Sequence, residues 1–155
     1  CTDQTLEDRY KPSCYFLQTS RMMQLFGVDF KKIADECAVA PEAYRVSCFG
    51  SMGRAVGGTH RTNVAAAIAA CGFAPAGAHR IACLNGAAQD TFWDPTGQDT
   101  ALAFCALIVE LTEKDGCYAP LFGRAENVLA APADLAAFCG KAEATYRAQC
   151  EDSIE

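Results

Sequence analysis

The sequence has no long apolar run and no excess of basic residues. Its longest apolar segment, residues 101–109, ends at Glu110, well short of the ~20 residues that a membrane-spanning helix needs. Its 13 lysines and arginines stand against 19 aspartates and glutamates, so the net charge is −6. This balance argues against nucleic acid and anionic membrane as main partners. We therefore expect no membrane span and no nucleic-acid partner.

The sequence also lacks the short motifs of common catalytic and cofactor sites. It contains no G-x-S-x-G, H-E-x-x-H, Walker loop or C-x-x-C-H. Two histidines, His60 and His79, are the candidate general bases. We therefore expect no cofactor and favour a non-enzymatic function, although an enzyme is left open.

What the sequence does have is 10 cysteines in 155 residues. Metal-binding cysteines usually stand in close pairs, because two thiolates must reach one ion. The closest cysteines here, Cys37 and Cys48 among them, are 11 positions apart. This spacing favours disulfides over a metal site and predicts an oxidising, extracytoplasmic compartment, periplasmic or secreted.

The cysteines follow a repeat of about 34 residues. Every second cysteine, at positions 37, 71, 105 and 139, is 34 from the last, and the set at 14, 48, 83, 117 and 150 keeps nearly the same step. Such a period is typical of stacked helix pairs. It divides the chain into units of about 1–36, 37–70, 71–104, 105–138 and a partial 139–155.

Local signals agree with a pair of helices in each unit. Asp29, Thr62 and Asp99 are candidate N-caps, and Pro132 suits a first helical turn. Turn-like pieces such as "AVAP" and "FAPAG" stand between neighbouring cysteines. No sustained period-two alternation occurs, so strands are not expected. The sequence thus predicts one all-α domain over residues 1–155, a disulfide-stapled α-hairpin repeat solenoid.

The hairpin geometry predicts which cysteines pair. A cysteine just before a tight bend faces one shortly after it, and a disulfide needs Cα atoms within roughly 4.4–6.8 Å. We therefore expect small residues to line the close contact within a hairpin. The predicted pairs are Cys1–Cys14, Cys37–Cys48, Cys71–Cys83, Cys105–Cys117 and Cys139–Cys150.

A rival pairing joins each second cysteine to the next first cysteine, for example Cys48 to Cys71. It would leave Cys1 and Cys150 unpaired, which is the weaker arrangement in an oxidised protein. A cysteine at position 1 also permits a lipid anchor, but its place in the repeat favours the disulfide.

Cysteine-bridged helical hairpins with glycine soon after the second cysteine, as in "CAVAPEAYRVSCFGSMG", resemble the cysteine-rich Sel1-like repeats, relatives of the tetratricopeptide repeats. The likeness is one of architecture and spans nearly the whole chain. It implies a scaffold for binding or assembly that has no chemistry of its own.

A basic residue stands three positions before the second cysteine of every unit: Lys11, Arg45, Arg80, Lys114 and Arg147. The position before it holds Tyr10, Tyr44, His79, Glu113 and Tyr146. One interpretation is that each cation pairs with an acid of a neighbouring unit, such as Glu36 or Glu42, or satisfies the last carbonyls of the preceding helix. The other is a cationic stripe that binds a partner's carboxylates.

We interpret the chain as a repeat module that binds another protein or a larger assembly. The incomplete first and fifth units suggest a piece of a longer protein or ends that a partner covers, since helical arrays normally carry caps. Candidate binding residues are the five cations with Tyr44, His79, Tyr146 and Trp93. One alternative is an enzyme or accessory domain with a small-molecule pocket around Trp93, His79 and His60. The other is a thiol-based store for a soft metal such as Cu(I).

Overall fold

The computed structural model describes residue 1 and residues 5–153, so residues 2–4 and 154–155 of the first and fifth predicted units lie outside the described part. Nine α-helices and no strands occur in that part. The helices are α1 (Lys11–Phe26), α2 (Phe30–Ala38), α3 (Glu42–Thr59), α4 (Val64–Cys71), α5 (Ala78–Thr91), α6 (Gln98–Ala106), α7 (Leu111–Val128), α8 (Pro132–Lys141) and α9 (Arg147–Ser153). The prediction of an all-helical fold is confirmed.

Local chemistry explains where several helices begin. Asp29 caps α2 as predicted, accepting a hydrogen bond from the Lys32 amide at 3.0 Å, and Pro132 opens α8. Thr62 is not a cap, because Asn63 accepts from the Ala66 amide and takes that role for α4. Asp99 lies inside the first turn of α6 and is not its cap. Its negative charge there interacts favourably with the helix dipole.

Five disulfides join the same cysteines that the repeat predicted. The bonds are Cys1–Cys14, Cys37–Cys48, Cys71–Cys83, Cys105–Cys117 and Cys139–Cys150. Four of them staple the hairpins α2–α3, α4–α5, α6–α7 and α8–α9. Such a set of bonds is typical of an oxidising, extracytoplasmic environment. Within the described residues no helix combines the length and apolarity needed to cross a membrane.

The odd-numbered helices contact one another in order, α1 to α3, α3 to α5, α5 to α7 and α7 to α9. Both cysteines of the last four disulfides lie in one buried cluster together with the large aromatic side chains Phe49, Phe92, Phe104, Phe122 and Phe138. The core therefore runs along these contacts and includes the disulfides.

Glycine brings α3 and α5 together at backbone distance. A Cβ atom on Gly53 would collide with the carbonyl of Cys83, and one on Gly57 would lie 2.6 Å from the carbonyl oxygen of Ala87. Gly86 faces the Gly50 carbonyl in the same way. These small residues line the contact between neighbouring hairpins, whereas we expected them to line the contact within each hairpin.

Candidate functional site

The repeated basic side chains are held against the ends of the first helices. In four units the cation donates to a backbone carbonyl at that place: Arg45 to Ala40 at 2.8 Å, Arg80 to Ala74 at 3.2 Å, Lys114 to Ala106 at 2.9 Å and Arg147 to Ala142 at 3.1 Å. Lys11 instead pairs with Asp8. These contacts are the ones expected if each cation satisfies the last carbonyls of the preceding helix. The alternative, a cationic stripe that binds a partner's carboxylates, stays a prediction.

Two of these cations also reach an acid in the following unit. Arg80 pairs with Glu113 at 3.4 Å, and Lys114 pairs with Glu143 at 3.1 Å. Glu113 and Glu143 therefore supply the carboxylates, in place of the Glu36 and Glu42 named from the sequence. Because Glu113 stands where other units have a ring, one ion pair replaces one aromatic contact.

Three of the rings beside the cations pack on a ring of the preceding unit. Tyr44 lies on Tyr15 with centroids 4.8 Å apart, His79 on Phe49 at 5.1 Å, and Tyr146 on Tyr118 at 4.2 Å. Each partner directly follows a second cysteine and is buried. Sequence reasoning missed these partners, although the signal was present: the residue after Cys14, Cys48, Cys83 and Cys117 is always large and apolar or aromatic.

Two tyrosines in this row also bind carboxylates through their hydroxyls. Tyr118 donates to Glu143 at 3.0 Å, and Tyr146 donates to Asp115 at 2.6 Å. Burial and this hydrogen bond raise the pKa of Tyr146 to about 12, and the same causes raise the pKa of Tyr118 well above its ordinary value. Both phenols are therefore neutral at physiological pH and act as donors.

His60, His79 and Trp93, the residues of the proposed small-molecule pocket, do not come together in one cavity of the described part of the chain. His60 lines an apolar cavity of about 510 Å³ between α2 and α4. Trp93 is 69% exposed and borders a cavity of about 160 Å³ with Asp94, which caps a short 3-10 helix. His79 packs on Phe49. A pocket around Trp93, His79 and His60 therefore has no geometric support here.

The metal-store alternative requires thiols. All ten cysteines are described, and each forms a disulfide. No cluster of three or more His, Cys, Asp or Glu side chains suited to a metal occurs in the described ranges, 1 and 5–153.

Sequence reasoning also missed a row of exposed apolar side chains. Val39, Phe73 and Leu107 each stand two positions after a first cysteine, and they are 77%, 50% and 56% exposed. We call these three the apolar bend residues. Their 34-residue spacing was visible in the sequence, but their exposure was not.

A cavity of about 410 Å³, lined by both apolar and polar side chains, lies between α1, α3 and α5. Its polar lining consists of four hydroxyl side chains, one guanidinium and one carboxylate: Thr19, Ser20, Ser51, Thr59, Arg54 and Asp90. These residues come from three separate helices and share no motif, so the sequence carried no signal for this cavity.

No protein-family model matches the chain. No match was found among the curated proteins or among the solved structures. The likeness to Sel1-like repeats therefore stays a prediction.

Proposed function

We propose that the chain is a non-catalytic, periplasmic or secreted repeat module that binds another protein or organises an assembly. In this proposal the hairpins form a solenoid of about 34 residues per unit, similar in architecture to Sel1-like and tetratricopeptide repeats. Solenoids present one residue from each unit along an extended surface, which suits a long partner segment.

The recurrence of the same contacts supports the solenoid. The residue three places after the first cysteine donates its amide to that cysteine's carbonyl in four units: Ala40, Ala74, Ile108 and Ala142. The cation-to-carbonyl contacts and the ring-to-ring contacts also recur at matching positions. A stacked array requires the same bend in each unit and the same contacts from one unit to the next.

The observation that carries the binding function is the exposure of the apolar bend residues. Three large apolar side chains occupy the same position of three consecutive units and remain in solvent. Single exposed apolar residues are ordinary, whereas contiguous apolar patches mark interaction surfaces. In the proposed solenoid, one such residue at the same place in each consecutive unit would form a continuous row. Because the repeated cations are held by carbonyls, these residues are the better candidates for partner contact.

The charges around these residues indicate the partner's chemistry. Glu36 and Glu42 each stand three positions from Val39, and Glu110 stands three positions from Leu107. All three acids are exposed, and the chain carries a net charge of −6. We therefore expect a partner surface that combines apolar side chains with basic ones.

The test replaces Val39, Phe73 and Leu107 together with serine. A control replaces Leu17 and Leu25 with serine; both lie on α1, away from the bends, and are 61% and 59% exposed. Tagged chains are purified without denaturation from the native source, and retained proteins are quantified by mass spectrometry.

We expect a defined partner to be retained by the parent and by the control but reduced about tenfold or more by the bend variant. A monomeric parent chain with no retained protein would contradict the proposal. Equal retention by both variants would show that the bend residues are not the binding surface.

A further inference from the structure

The cavity between α1, α3 and α5 has the features of a small-ligand site. Its volume of about 410 Å³ falls within the roughly 300–1,000 Å³ of typical small-molecule sites. Leu17, Met23 and Ala55 supply apolar wall beside the hydroxyls. The cavity does not include the apolar bend residues. Ligand binding in this cavity is therefore independent of the proposed partner binding.

Two of the residues that line this cavity have buried polar atoms without a partner. The hydroxyl of Thr19, a residue only 1% exposed, and the Nε of Arg54 lack any hydrogen bond among the described residues. Buried polar atoms in native proteins are almost always paired. Two unpaired atoms in one cavity lining therefore point to a ligand with hydrogen-bonding groups.

The charges in this cavity are of both signs. Arg54 donates from Nη2 to the Phe16 carbonyl at 2.6 Å, which leaves most of its N–H groups for other acceptors. Burial lowers the pKa of its guanidinium, and the charge of Asp90 opposes that shift. Asp90 forms its own ion pair with Arg61 at 3.3 Å, so Arg54 has no direct carboxylate partner among the described residues.

A ligand of one charge does not suit this arrangement. A simple anion would be attracted by Arg54 but repelled by Asp90, and a simple cation would meet the reverse. Arg61 bonds only the Oδ2 atom of Asp90 among the described residues, so the Oδ1 atom stays available to an ammonium group. A molecule that carries both charges satisfies both side chains. The surrounding hydroxyls of Thr19, Ser51 and Thr59 can donate to or accept from either end.

We propose that this cavity binds a small zwitterion of the amino-acid class, with its carboxylate on Arg54 and its ammonium group on Asp90. The side chain of the ligand then lies along Leu17, Met23 and Ala55. Binding requires no covalent or redox step.

The first experiment screens the twenty common L-amino acids singly, at millimolar concentration, for a rise in the thermal midpoint of the oxidised protein. The best of them is then titrated by calorimetry beside two analogues, one without the ammonium group and one without the carboxylate. We expect saturable binding of the amino acid and about tenfold or weaker binding of both analogues. No response to any amino acid, or equal binding of an analogue, would overturn the proposal.

The second experiment assigns the binding to these residues. Arg54→Gln and Asp90→Asn should each weaken binding about tenfold, and Thr19→Val should weaken it about threefold. The control is Arg124→Gln, because Arg124 likewise donates to a backbone carbonyl, that of Phe92 at 2.8 Å, and lies 5.9 Å from the Trp93 ring, outside the cavity.

Circular dichroism and a disulfide map establish that each variant is folded before titration. Thr19→Val nearly preserves the shape of the side chain, so it tests the site even if Arg54→Gln disturbs α1. Unchanged binding by Arg54→Gln, or an equal loss with Arg124→Gln, would assign the binding elsewhere and overturn the proposal.

Discussion

The contacts of individual side chains give a reason for the basic residue that precedes each second cysteine. The bend after each first helix leaves backbone carbonyls without helical partners, and an arginine or lysine from the next helix satisfies one of them in four units. In three of these units the ring beside the cation packs on the preceding unit. The basic residue thus stabilises the bend within its own hairpin, and the ring beside it stabilises the contact with the neighbouring hairpin. These two contacts are a structural reason for the recurrence of the pair.

Replacement of Arg45 by methionine tests this role. The change removes the donor to the carbonyl of Ala40, a residue only 6% exposed, and keeps much of the apolar stem. We expect a loss of about 1–3 kcal/mol in the free energy of unfolding, measured by urea denaturation with the disulfides intact.

The control for this change is Arg21→Met, because Arg21 is exposed and, among the described residues, bonds only to Gln24 in its own helix. It should change stability by no more than about 0.5 kcal/mol. Equal losses in the two variants would mean that the carbonyl contact of Arg45 contributes nothing particular.

Between helices, glycine decides how near two backbones can come. α3 contains four glycines, yet it continues through Thr59, although glycine in a helix interior costs about 0.5–1 kcal/mol relative to alanine. Gly53, Gly57 and Gly86 lie where α3 and α5 touch, and a side chain at any of them would meet backbone atoms of the other helix. The close contact therefore offsets a local cost in helix propensity.

Gly53→Ala should destabilise the protein by about 3 kcal/mol, because the new methyl group can be accommodated only if α3 and α5 move apart. Gly123→Ala is the matched control, since its Cβ would lie in open space within α7. That variant should gain about 0.5–1 kcal/mol from helix propensity. Chemical denaturation of the two oxidised variants measures both, and a gain at Gly53 would show that the helices are not in backbone contact.

For the molecule as a whole, the disulfides are unevenly protected. The eight cysteines between Cys37 and Cys150 are at most 1% exposed, whereas Cys1 and Cys14 are only partly buried. Each bond closes a loop of 11 to 13 residues, for which the chain-entropy model gives roughly 3 kcal/mol. The four buried bonds are part of the core, and the first bond fastens α1.

Limited reduction should therefore open the Cys1–Cys14 bond first, because a reductant must reach a sulfur atom to attack it. Alkylation after brief exposure to dithiothreitol, followed by a peptide map, should label Cys1 and Cys14 before any other cysteine. The helical circular dichroism should be largely kept at that stage. The buried Cys139–Cys150 bond at the other end is the internal control, and simultaneous labelling of both bonds would contradict this order.

Much of the fold was predictable, because it depends on properties local to the chain. Each disulfide joins cysteines only 11 to 13 residues apart. A cap such as Asp29 and the absence of an alternating pattern can likewise be read from neighbouring residues. Even so, the start of α4 was misplaced by one residue, since Thr62 and Asn63 are both good caps and the distinction is one of backbone geometry.

The amino-acid order of this chain thus determined its helical character, its cysteine pairing and the place of its bends. Tertiary structure alone decided that glycine lines the contact between hairpins rather than within one, that three of the rings pack on the unit before them, and that Thr19, Arg54 and Asp90 meet in one cavity. The physical reason is distance along the chain. Contacts between residues about 30 or more apart depend on how whole helices pack, and no local pattern encodes that packing.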